Sequence, residues 1–308
     1  MKSKLWLVFA LITTTFWGVW GAFIEVTEQA GFPATLGYVV WSLTMIPPAL
    51  VGLKIINWKI EYDKKSIMLG AAIGFLGAGG QLILFHGLGI GPAYIIFPII
   101  ALSPVVTVAL SLIILKERTQ LKGWIGIILA LIAIPLLSYQ PPGDSVVDGY
   151  LWLVFALAVF FAWGIQGFFM KFANQTMSAE SIFFYMTVTG LLLSPLAIMM
   201  TDFSQDINWG FRGPYLAAMI QILNAIGALC IVYAYRYGKA IVVAPLTNAV
   251  APVITIVISL LLYAVFPHTV TLIGMIIAIS ATFLLAIVEE STEKVEEIDD
   301  KVEEIIAE

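Results

Sequence analysis

"FWGVWGAF", Phe16 to Phe23, and "AWGIQGFF", Ala162 to Phe169, carry the same Trp-Gly-x-x-Gly at an offset of 146 residues. Both pieces lie inside long apolar runs, where neither tryptophan nor paired glycine is filler. The match widens around them. "LWLVFAL" at Leu5–Leu11 recurs identically at Leu151–Leu157, and the 25 positions from Leu5 to Gln29 hold 12 identities. A second block follows in the same order: "PVVTVALS" from Pro104 and "PVITIVIS" from Pro252. Upstream, Pro98 corresponds to Pro245, with one extra residue between the prolines of the second half. Blocks repeated in one order mark a duplicated and fused unit. We divide the chain into a first repeat, 1–140, a second, 141–288, and a tail, 289–308.

Composition identifies the solvent. The chain is 61% hydrophobic and 11% charged, with a mean hydropathy of +1.00. Soluble domains are about 45–50% apolar and about 25% charged, so this chain lacks the polar residues to cover a water-facing surface. Lipid is its natural surroundings. One cysteine, Cys230, and two histidines, His86 and His268, offer neither a disulfide framework nor metal-ligand spacing. No phosphate-binding or nucleophile motif is present, and we expect no cofactor, metal or catalytic residue. The basic start and long first apolar run lack the short core and cleavage site of a signal peptide, so the run reads as a retained span.

A membrane-crossing helix needs about 20 apolar residues. Breaks in the pattern place spans near 4–24, 34–54, 66–88, 92–115, 121–140, 149–171, 181–201, 212–236, 240–266 and 268–288. The expected fold is an all-α membrane protein of ten helices, since lipid offers no partners to open backbone groups. Orientation follows from the basic residues. With the N-terminus inside, 14 of the 15 lysines and arginines fall on inner segments and only Arg212 falls outside. Both termini are then cytoplasmic, and the short loops point to a prokaryotic inner membrane. Five spans per repeat is odd, so the second repeat enters the membrane in the opposite sense. In transporters built from inverted repeats the substrate site lies near the midplane, between the repeats. The tail carries ten acidic and two basic residues and reads as a solvated, partly helical segment or a docking helix.

The candidate site is drawn from polar and special residues within spans. Thr14, Gly18, Gly21 and Glu25 share one helix face, which serves either close packing or a moving contact. Trp17 and Trp163 sit at mid-depth, away from the headgroup level where tryptophan collects. They read as cavity walls or as packing. Gln81, Gln166, Asn224 and Asn248 need partners in lipid, and these are either neighbouring helices or a hydrated cavity. Tyr94 joins them as a cavity candidate. Pro98, Pro104, Pro245 and Pro252 each free an upstream carbonyl, for binding or for a gating kink. Glu25, at a span end, is the candidate for gating or for proton coupling. No charged residue sits centrally in a span, which disfavours a buried-carboxylate cation exporter and a phosphate-sugar antiporter.

"PIIALSPVVTVALSLIILKERTQLKGWIGIILALIAIPLL", Pro98 to Leu137, resembles the end of an EamA domain of the drug/metabolite transporter superfamily. The resemblance is carried by Pro104, the pair Glu117-Arg118, Gln120 and Gly123/Gly126. The second repeat keeps Pro252 and Gly274 but has "YAVFPHT" where the charged pair would stand. The resemblance implies two inverted five-helix halves, with helices 1, 3, 4, 6, 8 and 9 around a central cavity. Together these readings describe a transporter of a small neutral or zwitterionic metabolite working by alternating access, with export as a family-level expectation. Drug efflux, nucleoside transport, or a non-transporting lipid enzyme or sensor stand as alternatives. The expected partners are a small-molecule substrate and the bilayer, not nucleic acid, with the chain a monomer or homodimer.

Overall fold

The computed structural model describes residues 4–90, 93–139, 150–263, 266–285 and 287. The acidic tail therefore lies outside the described residues. Those residues form helices and no strands. Seven helical stretches are long and apolar enough to cross a membrane, and three shorter apolar helices accompany them.

In the first repeat, α1 (Leu5–Gln29) is unbroken, while α2 (Ala34–Thr44) and α3 (Ile46–Ile55) are separated at Met45. Pro47 and Pro48 open α3, and residues without an N–H belong at a helix start. Next come α4 (Lys64–Gly74), a five-residue π segment over Phe75–Gly79, and α5 (Gly80–Ile90). Asp63 caps α4 by accepting from the N–H groups of Lys65 and Ser66. Helices α6 (Ala93–Ala101) and α7 (Pro104–Ile113) break at Leu102–Ser103, and α8 (Leu121–Leu137) closes the repeat.

The second repeat has α9 (Leu151–Ala173), α10 (Ala179–Met199), α11 (Leu216–Tyr237) and α12 (Ala240–Tyr263), followed by α13 (Thr269–Leu285). Pro252 matches Pro104 in sequence, yet it sits inside the continuous helix α12. The two copies of one motif thus take different backbones, a break in one repeat and a continuous helix in the other.

Leucine, isoleucine and phenylalanine face outward in numbers that water would not permit; Leu121, Leu261 and Phe283 are each more than two-thirds exposed. The interior is built from small residues. Ala173, Ala179, Ala225, Ala234, Ala240 and Ala244 are all essentially inaccessible, which lets helix backbones approach closely where dispersion and hydrogen bonds must do the packing.

Candidate functional site

The two Trp-Gly-x-x-Gly copies pack by exchange. Helix α1 of the first repeat lies against α11 and α12 of the second, and α9 of the second lies against α4 to α7 of the first. Trp17 Nε1 donates to the Asn224 carbonyl at 3.2 Å. Its ring covers Gly227, where a Cβ would stand only 2.5 Å from the indole. Trp163 Nε1 donates to the Gly77 carbonyl at 3.3 Å and covers Gly80 in the same manner.

The glycines complete the exchange. Thr255 Oγ1 donates to the Gly18 carbonyl at 2.9 Å, and Thr107 Oγ1 donates to the Gly164 carbonyl at 2.7 Å. A Cβ at Gly18 would meet Ile254 at 2.5 Å, and one at Gly164 would meet Val106 at 2.5 Å. At Gly21 and Gly167 it would meet Thr255 Oγ1 and Thr107 Oγ1, each at 2.7 Å. The motif thus supplies one indole donor and two bare backbone surfaces, and each copy is read by the other repeat.

Side chains break this symmetry. The position of Trp20 in α1 is held by Gln166 in α9, and those of Gln221 and Asn224 in α11 are held by Gly74 and Gly77. In one interface Trp20 Nε1 donates to Gln221 Oε1 at 2.8 Å, and Gln221 Nε2 donates to the Gly37 carbonyl at 3.3 Å. Trp41 Nε1 donates to Asn224 Oδ1 at 2.9 Å. In the other interface the Gln166 amide fills the space over Gly77, within 2.1 Å of where a Cβ would be. One interface carries its amides on α11, and the other carries one on α9. That π segments cluster at functional sites makes the Gly77 carbonyl, inside one, the more notable acceptor.

Several amide groups here hold unused valence. Gln81 and Gln166 are half-buried and have no hydrogen-bond partner among the described residues. Asn224 uses Oδ1 and its carbonyl, while its Nδ2 is unpaired. Asn248 Nδ2 turns back onto the Ala244 carbonyl of its own helix at 2.9 Å, leaving Oδ1 open. None of these atoms is among the fully inaccessible unpartnered ones. Polar groups left this way in a membrane protein need a partner, and the packed core does not supply one here.

The structure therefore joins Trp17 to Asn224 and joins Trp163 with Gln166 on the π segment, with Gln81 next to Gly80. Asn248 stays within its own helix. Pro252 leaves the Asn248 carbonyl without its helical donor, and Pro245 does the same for Ile241. The side chains of Glu25, Tyr94 and Pro98 lie outside those described. Two open cavities are lined by other residues. One, of about 520 Å³, is bounded by Lys64, Lys65, Met68, Leu69, Ala72 and Phe169. The other, of about 410 Å³, includes Glu28, Thr35, Phe85, Met200, Asp202 and Gln205.

The sequence reading missed Trp20 and Trp41 as members of the amide network, and it placed Gln221 on the face of Asn224 without counting it among the amides; their polar tips at helical spacing were the available signal. It also passed over Glu61, which ties the α3–α4 connection to α10. Its carboxylate accepts from Ser178 N at 3.1 Å and Ser178 Oγ at 3.0 Å. Burial acts to raise the Glu61 carboxyl, but hydrogen bonds from Ser181, its own backbone and Ser178 outweigh it and hold it below the usual carboxylate range.

The profile of the EamA-like transporter family matches residues 4–139 and 150–287. An uncharacterized protein of Methanocaldococcus jannaschii is 33% identical over 132 residues, covering 43% of this chain and 95% of its own. Protein LicB of Haemophilus influenzae is 24% identical over 233 residues, covering 72% of this chain and 77% of its own. A solved crystal structure superposes with a TM-score of 0.71 at 15% identity, over 91% of this chain and 97% of that one, a likeness of fold alone. With both halves matched in succession and the same motif packed reciprocally between them, the chain belongs to the EamA-like transporter family.

Proposed function

We propose that this protein carries a small neutral or zwitterionic solute, amino-acid-like in its polarity, across a membrane by alternating access. The observation that carries the reading is the unspent hydrogen-bonding valence of Gln81, Gln166, Asn224 Nδ2 and Asn248 Oδ1 within long apolar helices. Amides offer donors and acceptors together, which suits an uncharged or internally compensated ligand without the desolvation cost of a buried charge. The adjoining indoles of Trp17 and Trp163 supply flat apolar walls.

The reading places ten spans in two inverted five-helix repeats, 1–140 and 141–288, with both termini cytoplasmic in a prokaryotic inner membrane and transport directed outward. The reciprocal contacts of α1 and α9 support it, because a two-fold relation between repeats requires such exchange. In this reading Gly18, Gly21, Pro98, Pro104, Pro245 and Pro252 serve the moving contacts. Tyr94 borders the cavity, and Glu25 couples transport to protons.

Thermal stabilisation of detergent-purified protein across amino acids, nucleosides and drugs, followed by liposome flux of each stabilising compound, tests the proposal. An amino-acid-like ligand that stabilises and is moved supports it. Stabilisation only by permanently charged drugs, or turnover of lipid with no flux, would displace it.

A further inference from the structure

We infer that Glu117 is a proton-binding latch: its carboxylate, supplied by the first repeat, ties down the N-terminus of α12 in the second, and one proton sets whether the tie holds. Glu117 lies in the connection between α7 and α8, and its side chain is only 9% exposed. Oε2 accepts from the Ile241 backbone N–H at 3.1 Å, across 124 residues. Ile241 is the second residue of α12, where the N–H has no intrahelical acceptor. No local side chain does this job; the other repeat does.

The second oxygen is the unusual one. Glu117 Oε1 is buried with no hydrogen-bond partner, and it faces Lys171 Nζ at 3.9 Å, too far for a hydrogen bond. Lys171 itself donates to the Gly238 carbonyl at 2.6 Å, two residues before α12 begins. Ser111 Oγ and Thr119 Oγ1 are also buried without partners, so three of the four such side-chain oxygens among the described residues fall between the last turn of α7 and Thr119. Glu117 N donates to the Ser111 carbonyl at 3.2 Å, which folds the turn onto itself. A carboxylate with one oxygen desolvated and unbonded is costly as an anion and far less so as an acid.

The titratable groups that face it are Lys171 from α9, Lys239 from the α11–α12 connection and Tyr235 from α11. Burial is the largest influence and pushes the Glu117 carboxyl above its ordinary range. The N–H groups of Ile241 and Ala240, then Lys171 and Lys239, pull it back only partly. A latched carboxyl therefore holds its proton more tightly than one released into water. Acid favours the latched form, with Oε2 still accepting from Ile241. As pH rises through the raised value the proton leaves for water, the buried anion becomes unfavourable, and Glu117 swings out and frees α12. "YAVFPHT" offers no acid at the matching place of the second repeat, so the sequence does not duplicate the device.

This inference borrows from the proposed transport cycle only the meaning of the opening, and its test needs no substrate. Ala240 is fully buried. Ala240→Cys in a Cys230→Ala background gives a single thiol that a maleimide reaches only when α12 is released. The alkylation rate of the full chain, divided by that of a free thiol at each pH, is expected to rise with pH. The rise extends to about tenfold for each unit separating the latched and released carboxyl. Glu117→Gln, locked in the uncharged form, is expected to be slow and flat. Lys171→Gln, which keeps the acid but removes the facing cation, is expected to move the midpoint to higher pH. A flat rate in the parent protein, or a pH response that persists in Glu117→Gln, would overturn the latch and leave Glu117 a static cap. An intact pH response without flux of any solute would retain the latch and retire the transport reading.

Discussion

Replacing Gly167 with alanine tests whether the glycines are contacts between the repeats. The new Cβ would stand 2.7 Å from Thr107 Oγ1 and 3.0 Å from Tyr235 Oη. To regain ordinary spacing the threonine hydroxyl must retreat by about 0.8 Å or more. Its bond to the Gly164 carbonyl, 2.7 Å long, does not survive that retreat. Overpacking costs about 1–3 kcal/mol and the lost neutral hydrogen bond about 0.5–1.5 kcal/mol, so we expect a loss of about 2–4 kcal/mol. Thr107→Ala alone forfeits only the hydrogen bond. In the double variant the threonine part of the clash is gone and only Tyr235 Oη still crowds the new Cβ, so a favourable coupling of about 1–2 kcal/mol should appear. Gly21→Ala with Thr255→Ala should repeat the pattern in the other interface. The single change there should be milder, since no second oxygen like that of Tyr235 approaches within 3.4 Å. The sole cysteine, Cys230, is buried, so its modification by a thiol-reactive dye reports unfolding directly. Additive effects of Gly167→Ala and Thr107→Ala would refute the contact.

Asn224→Ala should weaken ligand-induced stabilisation more than Trp41→Phe, because only the former removes the unpaired Nδ2; titration of the stabilising compound checks it. Trp163→Phe removes the bond to the Gly77 carbonyl and should lower thermal stability by about 0.5–1.5 kcal/mol, with fluorescence following the change. Glu61→Gln should matter only where the carboxyl is ionised. Its depressed folded value means its contribution is present above the ordinary carboxylate range and fades as pH falls through the lowered one, so parent and variant melting curves should converge in acid. For orientation, Lys59→Cys and Gln205→Cys in a Cys230→Ala background, both at exposed positions, should label from inside and outside respectively with an impermeant reagent; the reverse outcome would invert the topology.

Trp-Gly-x-x-Gly announced a duplication because tryptophan and glycine are rare matches in apolar runs, composition gave the helical membrane fold, and the family came from the resemblance carried by Pro98 to Leu137. Local pattern carries no information on which distant surface a residue meets. Trp17 and Asn224 could be named separately, but their contact spans 207 residues, and no helical periodicity encodes it. The two PVxTxxxS copies read alike, yet Pro104 begins a helix and Pro252 lies within one. Proline removes the same donor in both, and the surrounding packing decides whether the helix continues or breaks. Glu117 was visible as half of a charged pair at a span end, where water is the ordinary partner. Its burial against α12 exists only in the folded arrangement of both repeats.

The exchange of first helices also sets a timetable for biosynthesis. Helix α1 leaves the ribosome well before its partner, because the glycine and carbonyl surfaces that receive Trp17 and Thr13 belong to α11, more than 200 residues later. At roughly 5–20 residues per second the wait is on the order of 10–40 s. During it, α1 must stay in lipid or at the insertion machinery with its indole donors unmet. The final fit then closes from the opposite end of the chain, so truncation before α11 should leave the first helix exposed to membrane quality control while the later helices of its own repeat are already in place.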